Sequence, residues 1–161
     1  VANSNDDTVS VISAAACNPA HLSGCRRAWP TVTVGSVLLF GIAIDQATDT
    51  VYVTNLGGNT VSVINGATCN AQVTTGCGKT PATIAVGNGP AGVAIDQATG
   101  TVYVANAGDN TVSVINGATC NAQVTTGCRK RPPTETAPSR SASTRPPAPS
   151  TRATTVTAPS Q

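Results

Sequence analysis

Large aromatic side chains are nearly missing from this chain: one Trp, one Phe and two Tyr are spread over 161 residues, and Met is absent. A core built here must rely on Val, Ile and Ala. Charged residues make up only 10%, so the surface must be largely Thr, Asn, Ser and backbone. There is one histidine, His21, which leaves no Ser/His/Asp set and no His-rich metal cluster to build on. No run of 18 apolar residues occurs, which excludes a spanning helix of ordinary length. No N-x-S/T sequon is present.

The charge that exists is unevenly placed. Residues 1–128 carry Arg26, Arg27 and Lys79 against Asp6, Asp7, Asp45, Asp49, Asp96 and Asp109, a net −3. Residues 129–161 carry Arg129, Lys130, Arg131, Arg140, Arg145 and Arg152 against Glu135, a net +5. A nucleic-acid contact needs basic residues on the folded part. That part is mildly acidic, so no nucleic-acid partner is expected.

What dominates the sequence is repetition. Residues 101–128, TVYVANAGDNTVSVINGATCNAQVTTGC, nearly copy residues 50–77 at an offset of 51. Only Thr54/Ala105, Leu56/Ala107 and Gly58/Asp109 differ. A weaker copy opens the chain, with Val1-Ala2-Asn3 matching Val104-Ala105-Asn106 and residues 8–12 matching 111–115. A fixed period of this size marks a repeat architecture.

Each repeat holds four short runs rich in Val, Ile and Thr, bounded by turn residues. In the second copy they are residues 41–45, 51–55, 60–65 and 82–87. Runs so short and so β-prone read as strands. Residues 45–50 and 96–101 read as hairpin turns. The Asp at the start accepts from N–H groups two residues on, and Gly100 or Asp49 takes the left-handed position. Asn55 and Asn106 end their strands and are expected to cap the turn that follows.

Four strands in about fifty residues fit one blade of a β-propeller; a β-solenoid is the alternative, with coils that are usually shorter. The expected fold is all-β: an open stretch of about two and a half blades, near residues 1–35, 36–87 and 88–128. Nine strands are expected, two in the first copy, four in the second and three in the third. The motif VYVTN at 51–55 and VYVAN at 102–106, each followed by NTVSVI, resembles the YVTN β-propeller repeat family of bacterial and archaeal secreted and surface-layer proteins. The resemblance covers residues 1–128. It implies a propeller, often of seven blades and often with no assigned biochemical activity.

Cysteines recur once per repeat as C-x7-C: Cys17 with Cys25, Cys69 with Cys77, and Cys120 with Cys128. Six cysteines allow 15 pairings, and the repetition favours the pairs within each repeat. Such bridges form in oxidising compartments. Free thiols are the alternative. Zinc prefers closer cysteine spacing with further ligands nearby, so no metal or cofactor is expected. His21 reads as a solvated loop residue, and Asp45 and Asp96 as turn formers. The Asp/Asn clusters at 3–7 and 109–110 lack calcium-loop spacing. Trp29 and Phe40 are expected to pack locally.

After residue 128 the composition turns to Pro, Ser, Thr, Ala and Arg. Such a stretch cannot bury enough surface to offset its ordering entropy, and 129–161 is expected to be disordered. A second reading is a frameshifted repeat. Residues 142–151, ASTRPPAPST, can be encoded so that the same bases, read two nucleotides on, spell IDQATGTVY, the sequence of residues 95–103. Residues 130–134, KRPPT, still match 79–83 in frame at Lys, Pro and Thr.

The functional expectation is a non-catalytic structural or binding protein of the cell surface or extracellular space. The alternative is a fragment of a propeller enzyme, of lyase or quinoprotein type, whose active residues lie in blades not present. Partners are an unknown protein or cell-surface ligand and the missing blades of the same propeller. No signal peptide is read in residues 1–161, and that absence excludes no targeting segment. The chain begins at Val1 inside a repeat, so its natural start is expected upstream.

Overall fold

The structure, a computed structural model, describes residues 1–35, 39–129 and 133–136. It is all-β, with no α-helix among the described residues. Among the described residues, eleven strands form three open antiparallel sheets. The first holds β1 (Ala2–Asn3), β2 (Thr8–Ser10) and β3 (Thr31–Thr33) in that order. The second holds β4 (Leu39–Asp45), β5 (Thr50–Asn55), β6 (Thr60–Asn65) and β7 (Ala82–Ala85). The third holds β8 (Pro90–Asp96), β9 (Thr101–Asn106), β10 (Thr111–Asn116) and β11 (Thr134–Thr136).

Within each sheet, strands adjacent in sequence pair with one another, because each connection there is a hairpin turn or a loop that returns antiparallel. Asp45 Oδ1 accepts the Ala47 N–H at 3.0 Å, and its Oδ2 accepts the Thr48 hydroxyl at 2.8 Å. Asp96 makes the same two bonds to Ala98 and Thr99. Asp49 and Gly100 both adopt positive φ, at 47° and 65°. The next hairpin places Asp7, Asn59 and Asn110 in the left-handed region. That position goes to Asn or Asp, the non-glycine residues that tolerate it best, even in the second repeat, where Gly58 stands next to Asn59.

Register repeats with the sequence. Val53 faces Ser62 and Val61 faces Ile84 in the second sheet, just as Val104 faces Ser113 in the third. The register shifts at Leu39/Ile42 and again at Pro90/Gly92, the same place in each sheet. Two strands go beyond the nine expected. Ala2–Asn3 adds one to the first sheet. Thr134–Thr136 adds a fourth to the third sheet, although it lies inside the stretch expected to be disordered. Thr134 pairs with Ser113 as Thr83 pairs with Ser62, so the in-frame match of KRPPT ends on a residue with the right register. The rest of the stretch, 137–161, lies outside the described residues.

The sheets stack through two apolar layers. Val9, Val32 and Val34 of the first sheet meet Leu39, Val53 and Ile64 of the second. On its other face the second sheet offers Tyr52, Val61, Val63, Ile84 and Val86 to Val102, Val104 and Ile115 of the third. Side chains alternate between faces along a strand, so β5 serves both layers: Val53 points to the first sheet and Tyr52 to the third. That explains why β5 is buried almost throughout. Each sheet thus has a front, which meets the next sheet in the chain, and a back, which meets the previous one.

Candidate interaction surface

All six cysteines are bridged within their repeats: Cys17 to Cys25, Cys69 to Cys77 and Cys120 to Cys128, with Cα atoms 4.6–4.8 Å apart. Each bridge closes the long loop after the third strand of its repeat. An Asn beside the first cysteine shapes the loop from inside. Asn121 Oδ1 accepts the N–H groups of Gln123 and Val124, both at 2.8 Å, while its Nδ2 donates to the Gly117 carbonyl. Asn70 and Asn18 do the same in the other two loops. The loop of the first repeat therefore keeps the shape even though its sequence, CNPAHLSGC, has diverged.

The loop of the third sheet grips the second. The buried Tyr52 hydroxyl donates to the Cys120 carbonyl at 2.7 Å. The Ala122 N–H donates to Thr50 Oγ1 at 2.9 Å, and Gln123 Nε2 donates to the Thr48 carbonyl at 2.7 Å. Three bonds thus run from one hairpin to the next repeat's disulfide loop. Burial, and secondarily the negative charge of Asp45, push the Tyr52 phenol up to about 12. The ring stays neutral and stays a donor through the physiological range. On the other side of the interface, Gln97 Nε2 donates to the Ile44 carbonyl at 2.8 Å.

Asn55 and Asn106 play a part that their position at a strand end did not reveal. Neither side chain caps the following turn. Asn55 Nδ2 donates across to Thr60 and Ser62 of β6, at 2.9 and 3.0 Å. Asn106 bridges Thr111 and Ser113 in the same way, and Asn3 bridges Thr8 and Ser10. Both Asn55 and Asn106 are buried at the sheet-to-sheet contact, with Oδ1 lacking a hydrogen-bond partner. The reason for this placement is a glycine on the adjacent sheet. A Cβ on Gly35 would lie 2.7 Å from Asn55 Nδ2, and one on Gly87 would lie 2.5 Å from Asn106 Nδ2. The amide fills the space that a side chain would need. The signal was available in the fixed spacing of Asn, Thr and Ser in NxxxxTxS, which recurs in all three repeats.

Phe40 does not pack locally as expected; it is 70% exposed, next to Ile42 and Ile44 on the open edge of the second sheet. The counterparts of Ile42 and Ile44 in the third sheet are Val93 and Ile95, which pack against the core. Among the described residues, the first sheet holds no strand beyond β1 that covers Ile42 and Ile44 in the same way. Trp29 is partly buried, with the Arg27 guanidinium 4.8 Å above its ring. His21 is exposed in the first loop. Asp45 is buried and Asp96 exposed. The Thr99 hydroxyl and the Ala98 N–H hold the Asp96 carboxyl below the usual range. Among the described residues, no group of three or more His, Cys, Asp or Glu could hold a metal ion, and no helix is long and apolar enough to cross a membrane.

Fold and surface together define a class: an all-β chain of stacked antiparallel sheets with a disulfide loop in each repeat, the loop of the third sheet being seated on the second. No family model matches the chain, and no curated protein is similar to it.

Proposed function

We propose that this chain is a run of β-propeller blades of the YVTN repeat type, serving a non-catalytic structural or binding role at the cell surface or in the extracellular medium. The observation that carries the reading is the latch between the second and third sheets. A bridged loop from one repeat meets a Tyr and two Thr of the repeat before it, and the residues on both sides belong to the repeat itself. A chain that spends its repeated residues on holding neighbours together is organised as a scaffold. The partner it presents that scaffold to is an unknown protein or cell-surface ligand. The motifs VYVTN and VYVAN, the period of 51 residues and the four strands of the second and third sheets favour the propeller over other stacked-sheet arrays. Three bridges in so small a unit favour an oxidising compartment.

Immunodetection on intact producing cells and in their medium, with peptide mapping of the recovered protein without reduction, tests the reading. The expected result is surface or medium protein carrying three intra-repeat pairs. Protein confined to the cytoplasm with six alkylatable thiols would overturn it.

A further inference from the structure

Three asparagines in the chain precede a glycine: Asn65, Asn88 and Asn116. In such a pair the glycine amide nitrogen can close on the asparagine Cγ, since the glycine has no side chain to hinder the approach. The structure treats the three pairs differently. The Gly66 N–H donates to the Asp49 carbonyl at 2.7 Å and the Gly117 N–H to the Gly100 carbonyl at 3.0 Å, so both nitrogens are tied to the backbone of their own sheet. The asparagine amides beside them are engaged too. Asn65 Oδ1 accepts the Thr68 N–H at 3.3 Å, and Asn116 Oδ1 accepts the Ala118 N–H at 2.9 Å.

Asn88 stands apart. It is exposed in the connection between β7 and β8, where the second sheet passes into the third. Its side-chain amide lies over Gly108, on which an added Cβ would stand 2.8 Å from Nδ2. Among the described residues, that amide has no hydrogen-bond partner. The Gly89 nitrogen is held by a side chain and not by backbone: its N–H donates to Asn59 Oδ1 at 2.9 Å, and Asn59 is itself exposed.

We propose that Asn88 is a site of spontaneous deamidation, with Asn65 and Asn116 protected by the fold. The Gly89 nitrogen gives its proton to hydroxide and attacks Cγ of Asn88. The new N–Cγ bond closes a succinimide ring; the Cγ–Nδ2 bond breaks, and the nitrogen takes a proton from water and leaves as ammonia. Water then adds at either ring carbonyl and opens the ring to aspartate or isoaspartate. Nothing is oxidised or reduced. The consequence falls on the junction of the sheets. The Asn88 N–H donates to Asp109 Oδ2, and the Gly108 and Ala107 N–H groups donate to the Asn88 and Gly89 carbonyls, all at 2.9 Å. A carboxylate at position 88 stands beside that of Asp109 and repels it. Isoaspartate also adds a methylene to the main chain of a four-residue connection. Both changes loosen the seating of the third sheet on the second as the protein ages, whatever the chain binds.

Peptide mapping of the full oxidised chain, sampled during storage in mildly alkaline buffer, measures the reaction. Cleavage after Lys79 and Tyr103 puts the three asparagines on separate peptides. The Asn88 peptide is expected to gain the mass of an amide-to-carboxylate exchange first, with isoaspartate detected by enzymatic methylation. In urea all three convert at similar rates. Asn59→Gly keeps the left-handed turn and removes the acceptor, so it speeds conversion at Asn88 about two- to tenfold, the worth of one hydrogen bond, and leaves Asn65 and Asn116 unchanged. Aged wild-type protein unfolds at lower urea than fresh protein, and aged Asn88→Ser protein does not. Circular dichroism confirms that each variant is folded, and the order of the three rates in the unaltered chain needs no variant. Conversion of Asn65 or Asn116 as fast as Asn88 in the folded chain overturns the proposal. So does an Asn88 rate that ignores Asn59→Gly, or equal loss of stability in aged wild-type and Asn88→Ser protein. None of these failures touches the three disulfides or the location of the protein, on which the scaffold reading stands or falls separately.

Discussion

Tyr52 and Tyr103 occupy the same place in the same motif, yet one is buried beneath a neighbouring sheet and the other faces out. Replacing each by Phe removes one hydroxyl from two positions that the sequence makes equivalent. At Tyr52 the change deletes the 2.7 Å bond to the Cys120 carbonyl and strips that buried acceptor of its donor. Such a loss costs about 1–3 kcal/mol. At Tyr103 the change falls within about 0.5 kcal/mol of neutral, as exposed substitutions do. Urea titration followed by circular dichroism reads both.

The pH dependence gives a second, independent readout. The Tyr52 phenol titrates near 12 in the folded chain, against 10 for the free side chain. Its raised value means that the folded state holds the proton longer than the unfolded one. The associated stability is complete below pH 10 and falls as pH rises from 10 to 12. By pH 12 the loss reaches about 2–3 kcal/mol. Tyr52→Phe abolishes that part of the alkaline decline, and Tyr103→Phe preserves it. Equal costs for the two substitutions, or an unchanged alkaline decline in Tyr52→Phe, would refute the latch.

Gly87→Ala is expected to destabilise by about 1–3 kcal/mol, because the new methyl meets Asn106 at 2.5 Å; Gly78→Ala, with nothing within 4 Å, is expected to be neutral, and thermal melts of the pair separate the two. Replacing Cys120 and Cys128 together by Ala should cost about 2–3 kcal/mol from chain entropy alone, and proteolysis of that variant should move to residues 121–127, which the bridge now holds. Sequencing the coding DNA tests the frameshifted-repeat reading of the C-terminal stretch: the bases of residues 142–151 are expected to spell IDQATGTVY two nucleotides on, and any other reading of that frame removes the idea.

The strands of the second and third sheets were legible because Val, Ile and Thr runs between turn residues admit little else. Disulfide pairing was legible from repetition, which picks one connectivity out of many. The turn role of Asp45 and Asp96 followed from the chemistry of a short carboxylate beside free N–H groups. What stayed hidden depends on neighbours rather than on local sequence. Tyr52 and Tyr103 look the same in the chain, and only stacking separates them. Asn55 and Asn106 were assigned to a turn because a strand end suggests a cap. Their real partners are hydroxyls five and seven residues on, and a glycine from another sheet leaves the room. Thr134–Thr136 is three residues inside a Pro- and Arg-rich run, too short for periodicity to register; its pairing comes from the edge that β10 offers. Phe40 was read as local packing because large apolar residues usually find cover, and the strand that would provide it is not among those of the first sheet.

The disulfide loops at 69–77 and 120–128 have the same nine residues, and the hairpins at 48–52 and 99–103 present the same Thr, Thr and Tyr. During folding, contact chemistry alone cannot tell a correct seating from an exchanged one. What discriminates is tether length: only four residues, 86–89, join β7 to β8. A connection that short denies the third sheet any partner but the second. Lengthening it with a few glycines would disturb the bonds that Gly87, Asn88 and Gly89 make, but it would leave the loop-to-hairpin bonds between the sheets available and remove the feature that orders the repeats. Such a chain should refold into swapped and misthreaded species, the characteristic failure of near-identical repeats, and brevity of the linker is what keeps the native order.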